Sequence, residues 1–176
     1  MIQKNSMRNS LLTIKLIVCD AGPLIALGKI NQLQLLNHLY TEIYVPDVVL
    51  KECLVNETLP GAQAIKIALA NKQFIAKSPL TSTFLEKDYS ILDAGEKEAI
   101  LLAKELKASV LIDEKRGRTV ANALSLKVIG TAGLLLSAYK KGFVSNLKEC
   151  LDHLQKSGYR LSDRLIEDVL KRAQSF

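Results

Sequence analysis

The sequence has no tryptophan, and aromatics make up only 5% of it. A platform of rings on which successive bases stack is therefore not the expected mode of any nucleic-acid contact. Backbone contact through an electrostatic groove remains open. Cysteine is scarce too. Cys19, Cys53 and Cys150 are odd in number, far apart and never in a C-x-x-C pair. That argues against a structural zinc site or a disulfide framework and fits a reducing cytoplasm. The two histidines, His38 and His153, lie on polar helical stretches and read as surface residues, not ligands. No apolar run reaches the ~20 residues of a membrane span. The N-terminal stretch MIQKNSMRNSLLTIKLIVCD sets Lys4 and Arg8 before an apolar segment, as a signal peptide would. Lys15 and Asp20 leave that segment too short, and no A-x-A-like cleavage site follows. Glycine-rich nucleotide loops and the G-x-S-x-G nucleophile motif are missing. A D-x-D phosphatase motif would need an acid at Gly22, and a receiver-type acceptor would need paired acids near Asp20.

What is present suits one globular domain. Hydrophobic residues make up 48% and charged residues 24% of 176, enough for a real core. Twenty-four Lys+Arg against 18 Asp+Glu give a net charge of +6. That excess favours an anionic partner such as nucleic acid, though a solvated face or an acidic protein partner would also account for it. Residues 1–14 read as a polar leader, in which Met7 is an alternative start. Beyond it, short β-branched runs alternate with longer amphipathic stretches. Strands are expected at 16–19, 43–45, 74–76, 110–112 and 128–129. Helices are expected at 23–27, 31–39, 48–54, 61–71, 93–106, 118–126, 131–141, 146–156 and 162–173. Asp47 is expected to cap the third helix, residues 78–90 form a polar loop, and Gly158 marks a turn. The alternation predicts an α/β layer with a mainly parallel sheet, whose functional crevice lies at the carboxyl ends of the strands.

Acidic residues recur at those ends. Asp20 directly follows the first strand, where a helix cap or Asx turn would also explain it. Glu52 lies in the first turns of a helix that starts right after the second strand. Asp93 and Glu96 have capping-box spacing, while Glu98 projects about 200° away on the same helix and is the more solvent-facing of the two. Asp113 and Glu114 end the fourth strand side by side, and adjacent acids repel without a cation nearby. Each residue alone has a structural explanation. Their conjunction in a basic protein, without His or Cys partners, selects a hard divalent cation, Mg²⁺ or Mn²⁺. Such ions activate water and neutralise phosphate charge in a displacement at phosphorus. Lys115, Arg116 and Arg118, in a short loop with Gly117, are weak candidates for contacts to substrate phosphates.

Five motifs in order carry a resemblance: DAGPLIAL, VPDVVLKE, LDAGEKEAI, LIDEKRGRTVA and IGTAGLLLSA. Over roughly residues 16–144 the chain resembles the PIN-domain family of metal-dependent ribonucleases, which includes the VapC-like toxins. It is most similar to a prokaryotic branch with the D-x-x-P-L-I motif. The resemblance implies a three-layer α/β/α sandwich over residues 15–144. It also implies a metal-binding and catalytic cluster of Asp20, Glu52, Glu96 and Asp113 with Glu114 adjacent, either of the last two serving as fourth acid. The implied activity is that of an endoribonuclease acting on RNA as the toxin of a type II toxin–antitoxin pair. The implied partners are a small antitoxin and a second copy of the chain, in the cytoplasm and with no membrane. Two departures stand out. Better-known relatives carry Ser or Thr beside the first Asp, where this chain has Ala21 and Gly22, and they use Asp where this chain has Glu96. These departures motivate an alternative, a catalytically degenerate module that binds RNA or protein. Residues 145–176 are expected to form a C-terminal helical extension packed on the domain or on a partner.

Overall fold

In a computed structural model describing residues 14–81 and 91–175, five short aliphatic runs pair into one sheet. They are β1 (Leu16–Cys19), β2 (Glu42–Val45), β3 (Ile75–Ala76), β4 (Ser109–Leu111) and β5 (Val128–Ile129). Their order is β3-β2-β1-β4-β5, and every pairing is parallel. β1 is central, and Ile17, Val18 and Cys19 are wholly buried. A continuous apolar run is what a strand covered on both faces requires. Successive side chains point to opposite faces, so Ile17 and Cys19 join one core cluster and Val18 the other.

Nine helices among the described residues cover the two faces. One face carries α1 (Ala21–Lys29), α2 (Gln34–Leu39), α3 (Asp47–Cys53), α4 (Pro60–Ala70) and α7 (Thr131–Lys140). The C-terminal α8 (Leu147–Lys156) and α9 (Asp163–Gln174) join the same core through Leu147, Leu151, Leu154 and Val169. The other face carries α5 (Ala94–Leu106) and α6 (Lys115–Ala123). The result is the expected three-layer α/β/α sandwich with helices added at its C-terminus. The polar leader lies outside the described residues except for residue 14, and so do residues 82–90 of the polar loop.

Two local expectations are corrected. Asp47 does not cap α3, because Pro46 holds that position and makes no side-chain cap. Asp47 instead exchanges bonds with Ser78: its N–H donates to the hydroxyl (3.3 Å) and its carboxylate accepts from it (3.1 Å). Helix α6 starts at Lys115, not at 118, so Lys115, Arg116 and Arg118 lie in its first turn and not in a loop. Gly117 looked like a loop signal for another reason. A Cβ there would stand 2.3 Å from Cδ1 of Ile112 and 2.9 Å from Oε1 of Glu96. The glycine marks close packing inside a helix.

Candidate active site

The parallel ladder between β1 and β4 sets the first carboxylate. The Asp20 N–H donates to the Leu111 carbonyl (3.0 Å), holding Asp20 against the end of β4. Asp20 occupies the cap position of α1 yet makes no side-chain capping bond. It is 8% exposed. Burial pushes its pKa up to about 7, opposed by the Ala21 amide and reinforced by Asp93, Glu96 and Glu52. An unpaired carboxylate in such surroundings is costly as an anion.

Glu96 sits at the start of α5 in a complete capping box. Its N–H donates to Asp93 (2.8 Å), and its Oε2 accepts from the Asp93 N–H (3.2 Å). The other oxygen, Oε1, is buried without a hydrogen-bond partner. Burial raises the Glu96 pKa. The Asp93 amide opposes that shift, the charges of Asp93 and Glu114 add to it, and Arg116 counters it. The capping role therefore accounts for half of this carboxylate and leaves the other half unexplained. Glu52, exposed on α3, lies over the same helix start. A Cβ on Gly95 would come within 2.6 Å of its Oε2, so the Glu52 carboxylate rests against the glycine. Burial and Asp93 raise the Glu52 pKa, against the pull of the Gly95 amide.

Asp113, just past β4, is held differently. Its Oδ1 accepts from the Thr131 N–H (2.9 Å), and its Oδ2 accepts from the Thr131 hydroxyl (2.5 Å) and the Tyr159 hydroxyl. Burial and the Asp113 charge drive the Tyr159 pKa up, so the phenol keeps the proton it donates. Glu114, exposed, takes the cap position of α6.

These residues share one depression of about 510 Å³, lined by Asp20, Glu52, Asp93, Glu96, Asp113 and Glu114, with the turn at Gly158, Tyr159 and Arg160 on its rim. All five acids singled out in the sequence therefore come together. The three basic candidates do not line it. Arg116 acts on Glu96 by charge. Arg118 donates to the Ile112 carbonyl (3.1 Å) and lines a neighbouring groove of about 400 Å³. Lys115 is exposed in the first turn of α6.

A family model described as a PIN domain matches residues 16–175. The chain belongs to the PIN-domain family. The match runs through α8 and α9, beyond the residues that carried the motifs. No curated protein matches the sequence. PIN domains are in general nucleases, so the chain has a nuclease-type fold whose relatives act on nucleic acids and typically use divalent metal ions. Among the described residues no helix is long and apolar enough to cross a membrane.

The donor set of this PIN domain is all oxygen, which suits a hard cation, and the orphaned Oε1 of Glu96 is an acceptor that such a cation would satisfy. The acids face a common space without converging tightly. Among the described residues no three His, Cys, Asp or Glu side chains stand close enough to chelate an ion by themselves. Sequence reading missed four members of the site. Asp93 was seen only as a cap. Thr131 lay inside a quoted motif without a role. Tyr159 and Arg160 carried no signal, since only the turn between α8 and α9 brings them to the sheet edge.

Proposed function

We propose that this PIN domain is a Mg²⁺- or Mn²⁺-dependent endoribonuclease and the toxin of a type II toxin–antitoxin pair. One observation carries the reading. Asp20 and Glu96 are buried at the mouth of the sheet with no basic group at ion-pair distance among the described residues, and one Glu96 oxygen has no hydrogen bond at all. Folding tolerates such a cost where function requires it. Mg²⁺ keeps several waters and is commonly bound by only one or two carboxylates, so the lack of a tight three-acid cage agrees with it. Asp20, Glu52, Glu96 and Asp113, with Glu114 adjacent, would hold the ion. When bound, the ion supplies a polarising charge and an acidified water. The protein's own groups do the rest. Asp113 is oriented by Thr131 and Tyr159, Arg160 at the rim can meet a phosphate, and one of the acids takes the proton of the attacking water.

The test incubates wild type and Asp20→Asn with single-stranded and structured RNAs, with Mn²⁺ and with EDTA. Cleavage by wild type alone, and only with metal, is expected. Equal cleavage by Asp20→Asn, or cleavage in EDTA, sinks the assignment. The toxin role, with a cytoplasmic homodimer and a small antitoxin, rests on the resemblance to VapC-like proteins. It predicts that inducing the chain arrests growth and that a small protein encoded beside it relieves the arrest.

A second reading, a binding module without catalysis, is favoured by the loose spacing of the acids and by the structural use of Glu96 in a capping box. RNA binding without any Mn²⁺ heat in calorimetry would select it.

A further inference from the structure

The opposite end of the sheet has the reverse charge. A depression of about 500 Å³ at the amino ends of the strands is lined by Lys15, Lys107, Lys127 and Lys141, with Tyr40 and Ser109 among its other residues. These lysines come from four separate segments. Lys15 precedes β1, Lys107 precedes β4, Lys127 precedes β5 and Lys141 follows α7. The strands β1, β4 and β5 are neighbours in the sheet. Ile17 is in register with Ser109, and Val110 with Val128. Continued towards the amino end, that register sets Lys15 beside Lys107 and Lys127 beside Ser109.

Nothing among the described residues compensates this rank. No acidic residue among the described residues lines the depression. All four lysines are exposed, and none has an ion-pair partner among the described residues. Glu42 starts the adjacent β2, but its carboxylate accepts from the Tyr44 hydroxyl (2.6 Å) and does not line the space. Helix ends favour cations, which accounts for Lys107 and Lys141 at the C-caps of α5 and α7. It does not account for Lys15 and Lys127. Like charges set side by side repel, and an anionic ligand would relieve that.

We propose that this depression binds the phosphate backbone of a single RNA strand, at a site separate from the candidate active site. The choice of RNA among polyanions rests on the nuclease reading; the site itself does not. Lysine is a point charge on a flexible stem, suited to phosphates and not to the planar recognition that arginine offers. Half-buried Tyr40 is the one aromatic among the described residues that line the depression, so the contact rests on the lysines and not on a platform of rings. Four ammonium groups spread over an open hollow match several phosphates in a row better than one small anion. β1 is about 13 Å long, so a strand of modest length can reach from one end of the sheet to the other.

The experiment measures anisotropy of a labelled oligouridine of about 20 nucleotides on the full chain in EDTA, across about 50 to 200 mM KCl. The variant combines Lys15→Gln, Lys107→Asn, Lys127→Gln and Lys141→Gln. Asparagine is used at residue 107 because its φ is +52°, and asparagine tolerates that conformation. A control changes Lys66, Lys148 and Lys171 to Gln and Lys72, whose φ is +55°, to Asn, removing the same charge from other exposed positions. For a single strand each phosphate contact adds about 0.7 to the slope of log K against log salt. The site variant should therefore flatten the slope by up to about 3, and the pair Lys15→Gln with Lys107→Asn by about half of that. The control should move it much less. Equal losses in both sets, an unchanged slope in the site variant, or no binding by wild type would each overturn the proposal. EDTA removes any metal-mediated binding at the acidic cluster, so failure here leaves the nuclease reading standing, and failure of cleavage leaves this binding measurable.

Discussion

Asp20 and Glu96, compared with Asp113, are carboxylates lining the same depression in opposite circumstances. Asp20 and Glu96 are 8% and 4% exposed and lack any basic partner at ion-pair distance among the described residues. Asp113 is less buried and receives three donated hydrogen bonds. Buried carboxylates held together carry the affinity for a cation, because their charge is poorly satisfied without one. A carboxylate fixed by several donors carries geometry instead, because its position is set before anything binds. Both kinds are wanted in one site. They should respond differently to substitution, and the contrast can be broken from either side.

The largest effect is expected on the unsatisfied side. The Asp20 pKa is raised to about 7 by burial, from about 3.9 in an unfolded chain. The sign follows from proton counting. Between those two values the folded chain keeps a proton that the unfolded chain has released, so stability falls as pH rises through this window. About three units correspond to up to about 4 kcal/mol. Metal-free wild type should therefore melt at progressively lower temperature from pH 4 to pH 8, and Asp20→Asn should flatten much of that slope. The same substitution should be at least as stable as wild type at pH 8 in EDTA. It should also lose metal-dependent cleavage by more than about a hundredfold, since a ligand matters more than the outer partners whose loss costs 10–100-fold. A variant less stable than wild type at pH 8 would mean that the Asp20 charge is satisfied, and the contrast with Asp113 would disappear.

From the fixed side the expected effect is smaller. Tyr159→Phe keeps the ring and removes one of the three donors to Asp113. Losing an outer partner of this kind typically costs 10–100-fold in metal affinity or activity. Mn²⁺ calorimetry should show a weakening within that range, with a melting temperature close to wild type. Unchanged Mn²⁺ binding in Tyr159→Phe, alongside lost binding in Asp20→Asn, would confine the metal to the Asp20 and Glu96 side. The tyrosine would then serve packing of the α8–α9 turn alone.

The sheet could be read from the sequence because a doubly covered strand leaves a plain trace, the run Leu16–Cys19 ending on Asp20. Asp20, Glu52, Glu96 and Asp113 could be picked out because each follows a strand or lies in the first turns of a helix. What stayed hidden depends on contacts between distant segments. Tyr159 lies 46 residues from Asp113, and a tyrosine after a helix says nothing about where that helix docks. Gly117 misled in the opposite direction. A glycine required by a neighbour's side chain looks in sequence like a glycine required by a turn, and so the start of α6 was placed too late.

That ambiguity supplies the smallest and sharpest test. Gly117 and Gly133 both lie near helix starts, in α6 and α7, and neither has a positive φ. Helix propensity alone favours alanine at either by about 1 kcal/mol. A Cβ at Gly133 would meet nothing within 4 Å, so Gly133→Ala should stabilise by a few tenths to about 1 kcal/mol. A Cβ at Gly117 would press on Ile112, which is fully buried, and on the Glu96 carboxylate. Overpacking a core typically costs about 1–3 kcal/mol, which outweighs the propensity gain. Gly117→Ala should therefore destabilise by about 1 kcal/mol, and it should weaken Mn²⁺ binding because the atom it displaces is the orphaned Glu96 oxygen. Opposite signs in urea melts of the two variants would separate a glycine kept for space from one that is merely tolerated. If Gly117→Ala proves as stabilising as Gly133→Ala, then Glu96 moves freely and is not held against α6 as the site requires.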